Sequence, residues 1–72
     1  MTDRHPSTVM ALRPFTDGEQ LTPFPRTITQ LFTTLAHELV DMLPDDPELS
    51  TALRKLRESK DCAVFLAVIS GE

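Results

Sequence analysis

Two prolines, Pro44 and Pro47, bracket only Asp45 and Asp46, and an apolar pattern of helical period runs away from them on either side. Proline is tolerated in the first turn of a helix but not deeper, because it lacks an N–H and its ring clashes with the preceding turn. Pro44 therefore stops one helix and Pro47 opens the next. Asp46 is placed to cap the second helix, and Glu48 favours the positive end of its dipole. So short a connection, about three residues, obliges the two helices to lie side by side and antiparallel. The sequence predicts an αα-hairpin.

The first long helix is expected to begin at Pro23 or Pro25. Ile28, Leu31, Phe32, Leu35, Ala36, Leu39, Val40, Met42 and Leu43 then recur with helical spacing, which predicts one buried stripe. Thr29, Thr33, Thr34, His37, Glu38 and Asp41 fall on the opposite side. Four threonines between positions 27 and 34 lower the intrinsic propensity, so a ragged start is expected.

The second helix is expected to run from Pro47 to Ile69, with Gly71 ending it. Its first half alternates apolar and charged residues, whereas Cys62, Ala63, Val64, Phe65, Leu66, Ala67, Val68 and Ile69 are apolar without interruption. A helix apolar on every side needs cover on every side, and one partner helix cannot supply it. A 72-residue chain is also near the size where a single core is only marginally stable. Its one cysteine, Cys62, permits no internal disulfide, and no Cys/His cluster suggests zinc. Self-association is the remaining source of buried area. The expected fold class is all-α: an antiparallel helical hairpin with a short N-terminal helix or arm, assembled as a homo-oligomeric helical bundle.

Residues 1–20 form the N-terminal arm or short helix, and residues 21–72 the hairpin domain. Pro6 suits the first turn of a helix through Ser7, Thr8, Val9, Met10, Ala11, Leu12 and Arg13, ended by Pro14. Val9, Leu12 and Phe15 would be its buried edge; an extended arm is the alternative. The segment Thr16-Asp17-Gly18-Glu19-Gln20 carries turn chemistry.

Seven basic residues against eleven acidic ones give a net charge of −4, which argues against a nucleic-acid polymer as partner. The longest apolar run falls short of the roughly 18–20 residues needed to span a bilayer. Residues 1–6 show no signal-peptide core, so a cytoplasmic location is expected. Cys62, inside an apolar run, reads as a small buried hydrophobe in a reducing compartment.

No catalytic motif is present. His37-Glu38 lacks the second histidine of a zinc-protease helix, and there is no Gly-rich phosphate loop. Asp41, Asp45 and Asp46 are better explained by a cap and turn than by a cation site. No enzyme, metal or cofactor is expected. Arg54, Arg57 and Lys60 fall three apart on one side of the second helix. Either they pair with Glu58 and Asp61 on a wet face, or they supply an anion pocket completed by a second subunit. Arg26, beside a helix N-terminus, is the other candidate anion contact. Phe32 reads as core and Phe65 as core or oligomer seam. Phe15 and Phe24 either stack on a base or pack over the open end of the hairpin.

The string from Leu43 to Val64, LPDDPELSTALRKLRESKDCAV, resembles a helical-hairpin domain common in bacteriophages, which has a proline turn, a Glu, an Ala-Leu-x-Lys-Leu-x-Glu-Ala segment and a small-residue-rich end. His5-Pro6-Ser7-Thr8 resembles the start of short proteins from actinobacteriophages that carry this domain. Characterised members are anti-defence sponges that sequester cyclic nucleotide messengers of the bacterial CBASS and Thoeris immune systems. They hold ligand between protomers of helical oligomers, often hexamers, without chemistry. The resemblance implies the same here: a phage protein in the host cytoplasm that binds a cyclic di- or trinucleotide, or a cyclic ADP-ribose-type signal. Arg26, Arg54, Arg57, Lys60 and Phe15 are the candidate contacts. The chain departs from relatives at Cys62-Ala63-Val64, where several have Trp-Ala-Asn, and at Phe65, where Arg is frequent. Thr29 and Gln30 stand where other sponges place a Lys or Arg.

Overall fold

The computed structural model describes residues 6–71 and contains three helices. They are α1 (Pro6–Leu12), α2 (Pro23–Met42) and α3 (Pro47–Gly71), and no strand occurs among the described residues. No helix among the described residues is long and apolar enough to cross a membrane. The hairpin of α2 and α3 is the backbone of the fold. The Leu43–Asp46 connection starts α3 as its chemistry dictates: the Asp46 carboxylate accepts the Glu48 N–H at 2.9 Å, and Pro47 takes the first helical position. At the other side of the turn, the Leu43 N–H donates to the Leu39 carbonyl at 3.0 Å before Pro44 ends the run.

The N-terminal segment is a short helix continued by a strap. After α1 and Pro14, residues 13–22 cross one flank of the hairpin from its turn toward its open end. Five contacts tie this segment down. The Thr8 hydroxyl donates to the Asp45 carboxylate at 3.0 Å, and the Ser50 hydroxyl donates to Ser7 at 3.3 Å. Lys60 reaches the Pro14 carbonyl at 3.0 Å, and the Thr33 hydroxyl donates to the Thr16 carbonyl. Phe15 then inserts its ring into the groove between α2 and α3, where it joins Ala36, Val40, Leu49 and Leu53 as the core.

This strap changes which face of α2 is buried. The inward residues are Pro25, Thr29, Thr33, Ala36 and Val40, while Leu31 is 63% exposed and Met42 81% exposed. The placement of Thr29 and Thr33 on the outer side is thereby corrected. They face the strap, where Thr33 satisfies a loop carbonyl and Thr29 packs beside Gly18. On α1 likewise, Thr8 is buried and Val9 exposed, the reverse of the expected edge, because Thr8 is the residue aimed at Asp45. In the apolar end of α3 only Ala67 is fully buried, and Cys62, Phe65, Leu66, Val68 and Ile69 are exposed within one copy of the chain.

Among the described residues, Gly18 is the turn position that requires glycine. Its φ is +69°, its carbonyl accepts the Leu21 N–H at 2.9 Å, and an added Cβ would meet Leu21 and Thr29 side-chain carbons at 3.1 Å. The strap must turn sharply here to return its chain to the start of α2.

Candidate ligand-binding site

The five residues singled out from the sequence separate into two groups. Arg26, Lys60 and Phe15 are built into the fold, whereas Arg54 and Arg57 project from it. The Arg26 guanidinium donates to the Glu19 carbonyl at 3.0 Å and to the Leu21 carbonyl at 2.9 Å. It clamps the end of the strap onto the first turn of α2, with its Nε buried and without a partner among the described residues. The nearby helix N-terminus offers little to an anion. Pro23 and Pro25 have no N–H, and the Arg26 N–H is already bonded to the Thr22 carbonyl at 2.9 Å. The expected anion contact at Arg26 is thus a structural clamp in one copy of the chain.

Lys60 is similarly committed. Its side chain is only 14% exposed, bonded to Pro14 and 3.5 Å from the Asp61 carboxylate. Phe15 is 3% exposed at the centre of the core, so its ring cannot stack on a ligand while the strap stays in place. Packing over the open end of the hairpin is corrected too: the ring lies with Ala36, Val40, Leu49 and Leu53, in the half of the hairpin nearer the turn.

Arg54 and Arg57 differ. They stand one turn apart on the flank of α3 that carries α1, and with Ser50 they border a hollow of about 280 Å³ floored by Met10, Ala11 and Pro14. Arg57 makes a loose contact with Asp61 at 3.9 Å, with both side chains exposed, and Arg54 is in no ion pair among the described residues. Such an exposed pair in water is worth little, so the Arg57 charge remains available. The hollow thus combines two guanidinium groups, a hydroxyl and an apolar floor. That set can bind a phosphate by paired N–H donors and cover a flat apolar surface beside it.

Met10, Ala11 and Ser50 were not singled out from the sequence as site residues. Their convergence depends on α1 lying along the flank of α3 that carries Arg54. The only trace of that in the sequence is the polar pair Ser7-Thr8, which has partners at Ser50 and Asp45. A second hollow of about 360 Å³ lies farther along the strap, between Thr16, Gln20, Thr29, Lys60 and the exposed ring of Phe65. Among the described residues no group of three or more His, Cys, Asp or Glu side chains is arranged to hold a metal ion.

No family model, no curated protein and no solved structure matches this chain.

Proposed function

We propose that this chain acts by holding a ligand rather than transforming one. It is a homo-oligomeric phage anti-defence protein that sequesters cyclic nucleotide immune messengers in the host cytoplasm. The observation that carries the reading is the Arg54–Arg57 pair above an apolar floor. The two halves of that site match the two halves of a cyclic nucleotide, whose phosphates call for guanidinium groups and whose bases call for apolar cover. The hairpin with its proline turn, on which the resemblance to the sponge family rests, is consistent with it.

An undersized core supports the homo-oligomeric part of this reading. Six apolar residues are buried, and eleven large apolar residues stay exposed, among those described. The radius of gyration is 12.9 Å, against about 11 Å for a compact globule of this length. A small domain this extended lacks the burial that usually stabilises one alone. In an assembly, a neighbouring protomer would close the arginine hollow and remove its ligand from solvent.

One observation favours a second reading, a homo-oligomeric interaction module with no nucleotide ligand. Three of the five candidate contacts, Arg26, Lys60 and Phe15, are spent on holding the strap. Thermal denaturation with a panel of cyclic di- and trinucleotides and cyclic ADP-ribose isomers separates the two. A sponge gains melting temperature with one of them and releases it chemically unchanged after denaturation. An intact oligomer that responds to none leaves the interaction module standing.

A further inference from the structure

The hollow beside the strap differs in character from the arginine site. It measures about 360 Å³ and lies between Thr16 and Gln20 of the strap, Thr29 of α2, and Asp61 and Phe65 of α3. Small-molecule sites are clefts of about 300–1,000 Å³ in which apolar walls carry a few placed polar groups. Phe65 supplies the wall here, its ring 64% exposed in one copy of the chain. Gln20 and Asp61 are exposed as well.

Thr29 is the residue of this hollow that the fold does not explain. It is 5% exposed, and its methyl group faces Gly18, where an added Cβ would meet it at 3.1 Å. Thr27 donates to the Pro23 carbonyl at 3.0 Å and Thr33 to the Thr16 carbonyl, but the Thr29 hydroxyl has no hydrogen-bond partner among the described residues. Nor is it sealed off. Among the described residues, the buried side-chain polar atom without a partner is Nε of Arg26, so the Thr29 oxygen reaches the surface. The surface that Thr29 lines is the hollow. A nearly buried hydroxyl left unbonded costs stability unless something outside the fold bonds it.

Charge narrows what can enter. Lys60 gives one of its three N–H groups to Pro14 and stands 3.5 Å from the Asp61 carboxylate, so the two charges offset each other. A neutral group suits such a hollow better than a phosphate. Asp61 accepts hydrogen bonds, whereas Gln20 and Thr29 both donate and accept them. A flat ring with donors beside acceptors on its edge would meet these groups with the edge and Phe65 with its face. A nucleobase has that edge, and every base has a face that stacks on an exposed aromatic ring.

We infer that this hollow is a nucleobase site, with Phe65 against the face of the base and Thr29, Gln20 and Asp61 along its edge. The choice of a base among flat polar rings rests on the cyclic-nucleotide reading above. The two sites adjoin. Pro14 borders both hollows, and Arg57 of one lies 3.9 Å from Asp61 of the other. A ligand with phosphate on the arginines can place one base here and leave a second for the floor of Met10 and Ala11.

Nucleosides isolate the base site, because they carry no phosphate. Adenosine, inosine, uridine and cytidine are each titrated into the protein and followed by NMR. At least one should shift the Thr29 and Phe65 resonances saturably, and ribose alone should not. Phe65→Ala should weaken that binding about 5- to 150-fold, the worth of one base–aromatic stack, and Phe65→Trp should retain it. Thr29→Val should weaken it too, yet leave the unliganded melting temperature no lower, since the hydroxyl removed has no bond to lose. Phe24→Ala removes an exposed ring outside the hollow and should leave nucleoside binding unchanged, as should Arg54→Glu combined with Arg57→Glu. No shift at Thr29 or Phe65 with any nucleoside would overturn the base site, even where a cyclic nucleotide still raises the melting temperature through the arginines. Binding that survives both Phe65→Ala and Thr29→Val would overturn it as well. Nucleoside binding here, with no response to any cyclic nucleotide, would keep the base site and overturn the messenger reading.

Discussion

The Lys60 ammonium lies 5.7 Å from the centroid of the Phe15 ring and donates to the carbonyl of Pro14, the residue before it. One side chain from the middle of α3 thus holds both the backbone of the strap and its aromatic plug. Arg26 does the corresponding work where the strap joins α2, through the carbonyls of Glu19 and Leu21. Two of the chain's seven cations are therefore fixing a loop. Arg54 and Arg57, beside α1 on the flank of α3, are not spent in this way.

Phe15→Ala is expected to be the most damaging single truncation. Emptying a buried phenylalanine site costs about 3–5 kcal/mol, and a domain of this length has a total stability of only about 4–11 kcal/mol. The variant should lose most of its cooperative unfolding transition in urea. Phe15→Leu refills much of the volume and should cost less than half as much. Equal losses for the two would show that the ring does not occupy the core.

Thr33 distinguishes a hydroxyl held for its bond from one merely tolerated inside. Thr33→Val keeps the shape and removes the donor, leaving the Thr16 carbonyl without its partner at a cost of about 1–2 kcal/mol. Thr33→Ser keeps the donor and loses one methyl group, worth about 0.8 kcal/mol. Chemical denaturation should rank them wild type, then Ser, then Val. A valine variant as stable as wild type would remove the bond from any account of the strap.

The hairpin was legible because its determinants are local. Pro44, Asp46 and Pro47 act on neighbouring backbone groups, and the structure places α2 and α3 where those residues require. The buried face of α2 was less legible because period alone assigns one apolar stripe and cannot say which part of it meets its own partner. The strap settles that by claiming Thr29 and Thr33, and its path depends on contacts such as Thr8–Asp45 and Lys60–Pro14 that join residues far apart in sequence. The candidate site shows the same division. The spacing of Arg54 and Arg57 put them together, but a cation's commitment to a distant carbonyl, as at Arg26 and Lys60, leaves no mark on the sequence.

Gly18→Ala should destabilise the chain more than an ordinary surface loop change. A left-handed backbone costs a residue with a Cβ about 1–2 kcal/mol, and the new methyl group would also press on Leu21 and Thr29. For a domain of this size that corresponds to a fall in melting temperature of about 5–15 °C. Glu19→Ala leaves a residue in place whose carbonyl, not its side chain, serves Arg26, and it should shift melting by no more than about 3 °C. Comparable shifts for the two would rule out the turn conformation as the reason for glycine.

The sharpest test of ligand binding is a pair of arginine variants with opposite expected signatures. Arg54→Glu combined with Arg57→Glu removes two exposed guanidinium groups and a loose 3.9 Å pairing to Asp61, so the unliganded melting temperature should change little. A ligand at one hundred times its dissociation constant stabilises a folded protein by about 2.7 kcal/mol, and that increment should vanish in the double variant. Arg26→Ala should behave in the reverse way. It frees the Glu19 and Leu21 carbonyls and loosens the strap, so the unliganded protein should melt at lower temperature while a bound messenger still raises it. Full ligand stabilisation in the Arg54, Arg57 double variant would move the site away from this hollow, and loss of it in Arg26→Ala alone would place the site at the start of α2.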